Sequence, residues 1–86
     1  FSQSEKLAAR ISESAGPELE QRVKLGFQIV FARQPTESEL TKSIAFLNEQ
    51  QRGYASVENP AEKARQMALA DFCHMLMSSN EFLYVE

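Results

Sequence analysis

The sequence predicts an all-α fold: a compact array or bundle of four helices, with a C-terminal tail packed across it. Three observations lead there. Only three Gly and three Pro interrupt the 86 residues, which favours long helices over many short strands. Apolar residues recur three and four apart between recognisable start and stop signals. No alternation of apolar and polar residues runs longer than a few positions, so nothing reads as a half-buried strand.

The first helix is expected over residues 3–14. Ser2 and Glu5 have capping-box spacing, and Leu7, Ile11 and Ala15 form one thin apolar stripe that stops at Gly16. The second is expected over 17–33, with Pro17 in the first turn, where a missing N–H costs nothing, and Glu18 and Glu20 suited to the helix dipole. Leu19, Val23, Gly26, Phe27 and Val30 share one of its faces, while Leu25 and Ile29 lie on another. Two apolar faces mark a central helix. Gly26 in mid-helix costs roughly 1 kcal/mol against Ala, and either a closely crossing helix or a tolerated weak spot accounts for it.

The third helix follows Pro35, with Thr36 as N-cap, Glu39 as its capping-box partner, and Leu40, Ile44 and Leu47 facing inward. It is expected to fray over 50–53. Phe46 falls off that stripe, either packed by another segment or offered to a partner. After a polar loop at 53–58, Asn59 as N-cap, Pro60 at the first helical position and Glu62 open a fourth helix reaching about residue 79. Ala68, Leu69, Phe72, Cys73, Met75 and Leu76 cover more than half of its circumference, which makes it the core helix. The ending SSNEFLYVE then supplies a stop at Asn80 and two apolar anchors, Phe82 and Tyr84, to close the bundle.

A chain of this length is a single domain, 1–86, that buries only about 60–65% of its unfolded surface. The net charge is −3, and it is localised: residues 54–86 carry two Lys/Arg against five Asp/Glu, while the two stretches before them balance to zero. With no basic arm, non-specific binding to nucleic acid or to an anionic membrane is disfavoured. The lone Cys73 forms no internal disulfide, and no apolar run approaches the length of a membrane span. Phe1 in place of a Met and the apolar ending suggest a piece of a larger protein.

Enzyme chemistry finds little support. Asp71, His74 and Ser78 lie on one stripe of the fourth helix, but working triads place the nucleophile on a strained turn and draw members from separate elements. A polar stripe on a buried helix explains them. Cys73 precedes His74, yet haem attachment needs a second Cys at position 70, which is Ala70. One Cys and one His also fall short of a zinc site. Gly16, Gly26 and Gly53 are isolated, so no phosphate-binding loop exists. No catalytic residue, metal or cofactor is therefore expected. Arg33 stands out among the polar residues because it sits beside the Pro35 turn, within reach of carboxylates at Glu39 and Glu81. It either ties the tail to this corner or lies solvated at the surface.

The run 31–40 (FARQPTESEL) and the ending 70–85 (ADFCHMLMSSNEFLYV) together resemble the C-terminal region of a planctomycete domain family of unknown function. Domains of that family occur in large exported proteins, often beside c-type cytochrome domains whose haem motif this chain lacks. The resemblance covers roughly residues 17–86. It implies an exported or cell-envelope location, no established activity, and partners that are other domains of the same polypeptide or other proteins. Arg33, Pro35, Thr36 and Glu39 ahead of a helix also look like a helical region of bacterial sigma factors, which would imply contact with DNA or polymerase. Against that second likeness, Lys42 and Arg52 are the only cations of the third helix. A non-catalytic structural or interaction module is thus expected, with Arg33, Glu39, Phe46, Glu81, Phe82 and Tyr84 as its structural or interaction residues.

Overall fold

The computed structural model describes residues 3–56 and 58–79. Over them the chain is four helices, α1 (Gln3–Ala15), α2 (Leu19–Phe31), α3 (Glu37–Tyr54) and α4 (Ala61–Met77), with no strand among the described residues. The expected cap at Ser2, the stop at Asn80 and the closing tail with Glu81, Phe82 and Tyr84 lie outside them.

Helix α1 ends where glycine permits it: Gly16 takes φ +76°, and its N–H reaches Ser12 O at 3.2 Å. Left-handed backbone of this kind costs Gly little and other residues more. Helix α2 is shorter than expected. Glu18 occupies its N-cap position, leaving Pro17 outside the first turn, and the helix stops at Phe31 with Ala32 left-handed at φ 58°, ψ 34°. Pro35 disfavours helical backbone at the residue before it. The chain turns already at Ala32, whose N–H closes on Gln28 O at 3.0 Å, so Arg33 lies beyond the helix. Because Ala32 is exposed and strained, Ala32→Gly is expected to stabilise the chain by about 1 kcal/mol. Urea denaturation would read this as a higher midpoint with an unchanged slope.

Helix α3 has the expected capping box. Glu39 N–H donates to Thr36 Oγ1 at 3.1 Å, and Thr36 N–H to Glu39 Oε1 at 2.8 Å. Its far end does not fray at residues 50–53 but runs through Gly53 to Tyr54. Two side chains hold it there: Tyr54 Oη donates to Asp71 Oδ2 at 2.6 Å and Gln50 Nε2 to the same oxygen at 2.9 Å. Tertiary anchoring of this kind outweighs the roughly 1 kcal/mol that a helical glycine costs. Helix α4 begins one residue later than expected, with Pro60 as N-cap. Asn59 is already committed to a turn with Ser56, whose N–H donates to Asn59 O at 3.0 Å and whose Oγ accepts from Asn59 N–H at 3.1 Å.

Helix α4 is the core helix. Ala64, Ala68, Leu69, Phe72, Cys73 and Leu76 are all buried, and all of them but Ala64 belong to one core cluster with Ala8, Ile11, Val23, Phe27 and Leu47. Met75, towards the margin of that arc in the last turn, is instead 43% exposed. Phe46 is half-buried and packs against this core. At the α1–α2 corner Arg22 is buried, its Nε donating to Gly16 O at 2.6 Å, and burial lowers the guanidinium pKa, aided by the charge of Arg65.

The arrangement of neighbours shapes everything else. Helix α4 touches α1, α2 and α3, and α2 touches both α1 and α3. Among the described residues α1 and α3 do not touch each other. Bridged by α2 on the core side of α4, they are left apart on its other side.

Candidate functional site

Two features hold the polar chemistry of the molecule. The first is the corner between α2 and α3. Arg33 meets Glu39 in a two-pronged ion pair, Nη1 to Oε1 at 2.8 Å and Nη2 to Oε2 at 3.0 Å, and Nη1 also donates to Gln34 O at 3.0 Å. The guanidinium carbon lies 5.4 Å from the Phe27 ring centroid and 5.6 Å from that of Phe31, within range of cation–π attraction. The two rings are themselves edge to face at 5.3 Å. A planar guanidinium serves both contacts where an ammonium would serve neither as well. Of the two carboxylates expected near Arg33, Glu39 is in contact and Glu81 lies outside the described residues.

The Arg33 hydrogen bonds, followed by the Thr36 N–H, pull the Glu39 carboxyl pKa down to about 2. A carboxylate held below its unfolded value of about 4.3 contributes stability that is complete above that value. The contribution fades as pH falls from there through about 2. Since the side chains of Arg33 and Glu39 are 36% and 37% exposed, water screens the pair. Glu39→Gln is therefore expected to cost only about 1 kcal/mol at neutral pH. Urea titrations of parent and variant should diverge at pH 7 and converge as pH approaches 2.

The second feature is the open side of α4. Gln66, Met67, Ala70, Asp71 and His74 form its floor, Ser4, Glu5, Ala8 and Ala9 of α1 one wall, and Tyr54 at the end of α3 the other. Together they line an open slot of about 560 Å³. Ser12 Oγ donates to Gln66 Oε1 at 2.9 Å and fixes α1 to α4 beside it. Asp71 is held by two neutral donors, Tyr54 and Gln50, and the hydrogen bond that Tyr54 donates to it raises the pKa of the Tyr54 hydroxyl, followed by burial and the charge of Asp71.

The stripe Asp71, His74 and Ser78 thus divides. Asp71 ties α3 to α4, His74 lines the slot, and Ser78 is exposed as the C-cap of α4. Cys73 is fully buried in the core, and that burial pushes its thiol up to about 12, far from the thiolate that nucleophilic chemistry uses. No group of three or more His, Cys, Asp or Glu suited to a metal ion occurs among the described residues. No helix there is long and apolar enough to cross a membrane. Sequence reasoning missed Gln50 and Tyr54 as the partners of Asp71. The available signal was their four-residue spacing, which puts both on one helix face once α3 extends past Gly53. No family model, no curated protein and no solved structure matches this chain.

Proposed function

We propose that the chain is a non-catalytic structural or protein-interaction module belonging to the C-terminal end of a large exported protein, of the planctomycete kind that residues 31–40 and 70–85 resemble. The observation that carries the reading is the slot over α4, an accessible helix face left between two helices that do not touch. The groups with chemical potential favour structure over turnover. Asp71 is engaged in joining α3 to α4, and Cys73 is sealed in the core. The module reading is preferred to a helix-turn-helix reader of DNA because Arg33, the cation at that corner, is already engaged with Glu39 and two phenylalanine rings.

The natural partners under this reading are other domains of the same polypeptide or other proteins of the cell envelope. Calorimetry of the 86-residue chain against its parent polypeptide lacking this segment tests it. Saturable binding is expected, and a folded chain that shows none overturns the intramolecular form of the proposal. A gel shift on duplex DNA that weakens with salt would overturn the preference for a protein partner.

A further inference from the structure

We propose that the slot over α4 receives a basic amphipathic α-helix from a partner polypeptide, with a lysine or arginine of that helix pairing with Asp71. This rests on the interaction-module reading and names the partner chemistry of its site. Shape points to a helix. The floor residues Gln66, Met67, Ala70, Asp71 and His74 follow the spacing of one helix face, flanked by α1 on one side and by Tyr54 on the other. A helix seated there would fill the position opposite α2 and complete the ring of helices around α4. Ala8, Ala9 and Ala70 present little more than a methyl group each, and small side chains let helix axes approach to about 8 Å. Met67 adds a pliable apolar contact able to fit different partner side chains.

Charge points to a basic occupant. The charged residues lining the slot are Glu5 and Asp71, and no Lys or Arg lines it among the described residues. Asp71 is fixed by neutral donors, so its charge is oriented by Tyr54 and Gln50 without being neutralised by them. Over the described residues of the segment that carries the floor, 54–79, three acids, Glu58, Glu62 and Asp71, stand against Lys63 and Arg65. Such complementarity sets which partners associate and how fast.

Selection of helical peptides from a display library on the immobilised 86-residue chain supplies the probe, and calorimetry with the enriched peptides measures its binding. The enriched sequences should combine an apolar stripe with Lys or Arg at its margin. Ala9 is exposed, so Ala9→Arg places a bulky cation in the slot without touching the core, and it should weaken binding more than tenfold. Asp71→Asn keeps an acceptor for Tyr54 and Gln50 while removing the charge, and it should weaken binding about five- to tenfold and flatten its salt dependence. Ala9→Arg should melt close to the parent chain, while Asp71→Asn, which turns two hydrogen bonds to a carboxylate into neutral ones, should melt lower by about 4–8 °C and still be folded at the temperature of the binding measurement. The proposal is overturned by enrichment of neutral or acidic peptides, by no enrichment, or by affinities that neither variant changes. It also falls if Ala9→Arg abolishes self-association seen by sedimentation, which would make a second copy the occupant, or if peptides bind only after removal of residues 80–86, which would make the chain's own end the occupant. Binding to the parent polypeptide that survives Ala9→Arg leaves the module reading intact and removes the slot from it. Selected basic peptides that bind while the parent polypeptide does not would do the reverse.

Discussion

Phe72→Ala is expected to lower the unfolding free energy by about 3–5 kcal/mol, since Phe72 is the largest fully buried side chain among the described residues. Phe72 is fully buried in the middle of α4, which touches each of the other three helices. Its ring centroid lies 6.4 Å from that of Phe27, and its edge lies 3.3 Å from where a Cβ on Gly26 would stand. The ring therefore fills the space between α4 and α2, the helix that bridges α1 and α3. Removing it leaves a void facing a glycine, which has no side chain to move inward, so the site collapses poorly and the full cavity cost is felt. A domain of this size has a total stability of only about 4–13 kcal/mol. Thermal melts should show a midpoint lower by about 12–40 °C, or no cooperative transition at all. Phe72→Leu, which keeps most of the volume, should fall between the two. Equal midpoints for parent and Ala variant would mean that α2 and α4 do not form a common core.

How far the sequence announces this molecule depends on the range of the interaction involved. The capping box of Thr36 and Glu39 is a contact across three residues, and it forms with the residues and roles that its spacing implies. The left-handed stop at Gly16 is equally local. The ends of α2 and α3 were less legible, because tertiary contacts set them. Gln50 and Tyr54 reach α4 to hold α3 together past Gly53, and the turn at Ala32 swings Arg33 back onto Phe27, Phe31 and Glu39. Propensity rules see neither partner. For the same reason the apolar arc of α4 was readable but its open side was not. Met67 and Ala70 read as ordinary helix residues, and only the separation of α1 from α3 turns them into the floor of a slot. Arg22 illustrates the remaining gap. A lone arginine among charged neighbours reads as solvated surface, yet it is buried because the carbonyl of Gly16 lies within 2.6 Å of its Nε.

Gly26 carries the second large effect, and its sign depends on the size of what replaces it. An added Cβ would stand 3.2 Å from Leu76 Cδ1, 3.3 Å from Phe72 Cε2 and 3.5 Å from Ile11 Cδ1. Of the two explanations that the sequence left open for a mid-helix glycine, this is the closely crossing neighbour. Alanine needs its neighbours to yield by a few tenths of an ångström, chiefly the terminal methyl of Leu76, and it gains roughly 1 kcal/mol of helix propensity. The two effects offset, and Gly26→Ala is expected within about 1 kcal/mol of the parent. Valine adds two methyl groups with no space to receive them, and in a helix its χ1 is confined essentially to one rotamer, so it turns away from nothing. Phe72 and Ile11 are fully buried and have nowhere to retreat. Overpacking of this kind is expected to cost about 3 kcal/mol, which corresponds to a melting midpoint lower by about 12–24 °C. Paired melts of the Ala and Val variants make the test specific, because a tolerated weak spot predicts that both substitutions stabilise the helix. A clear drop for Val with near-neutral Ala assigns Gly26 to the contact where α1, α2 and α4 meet.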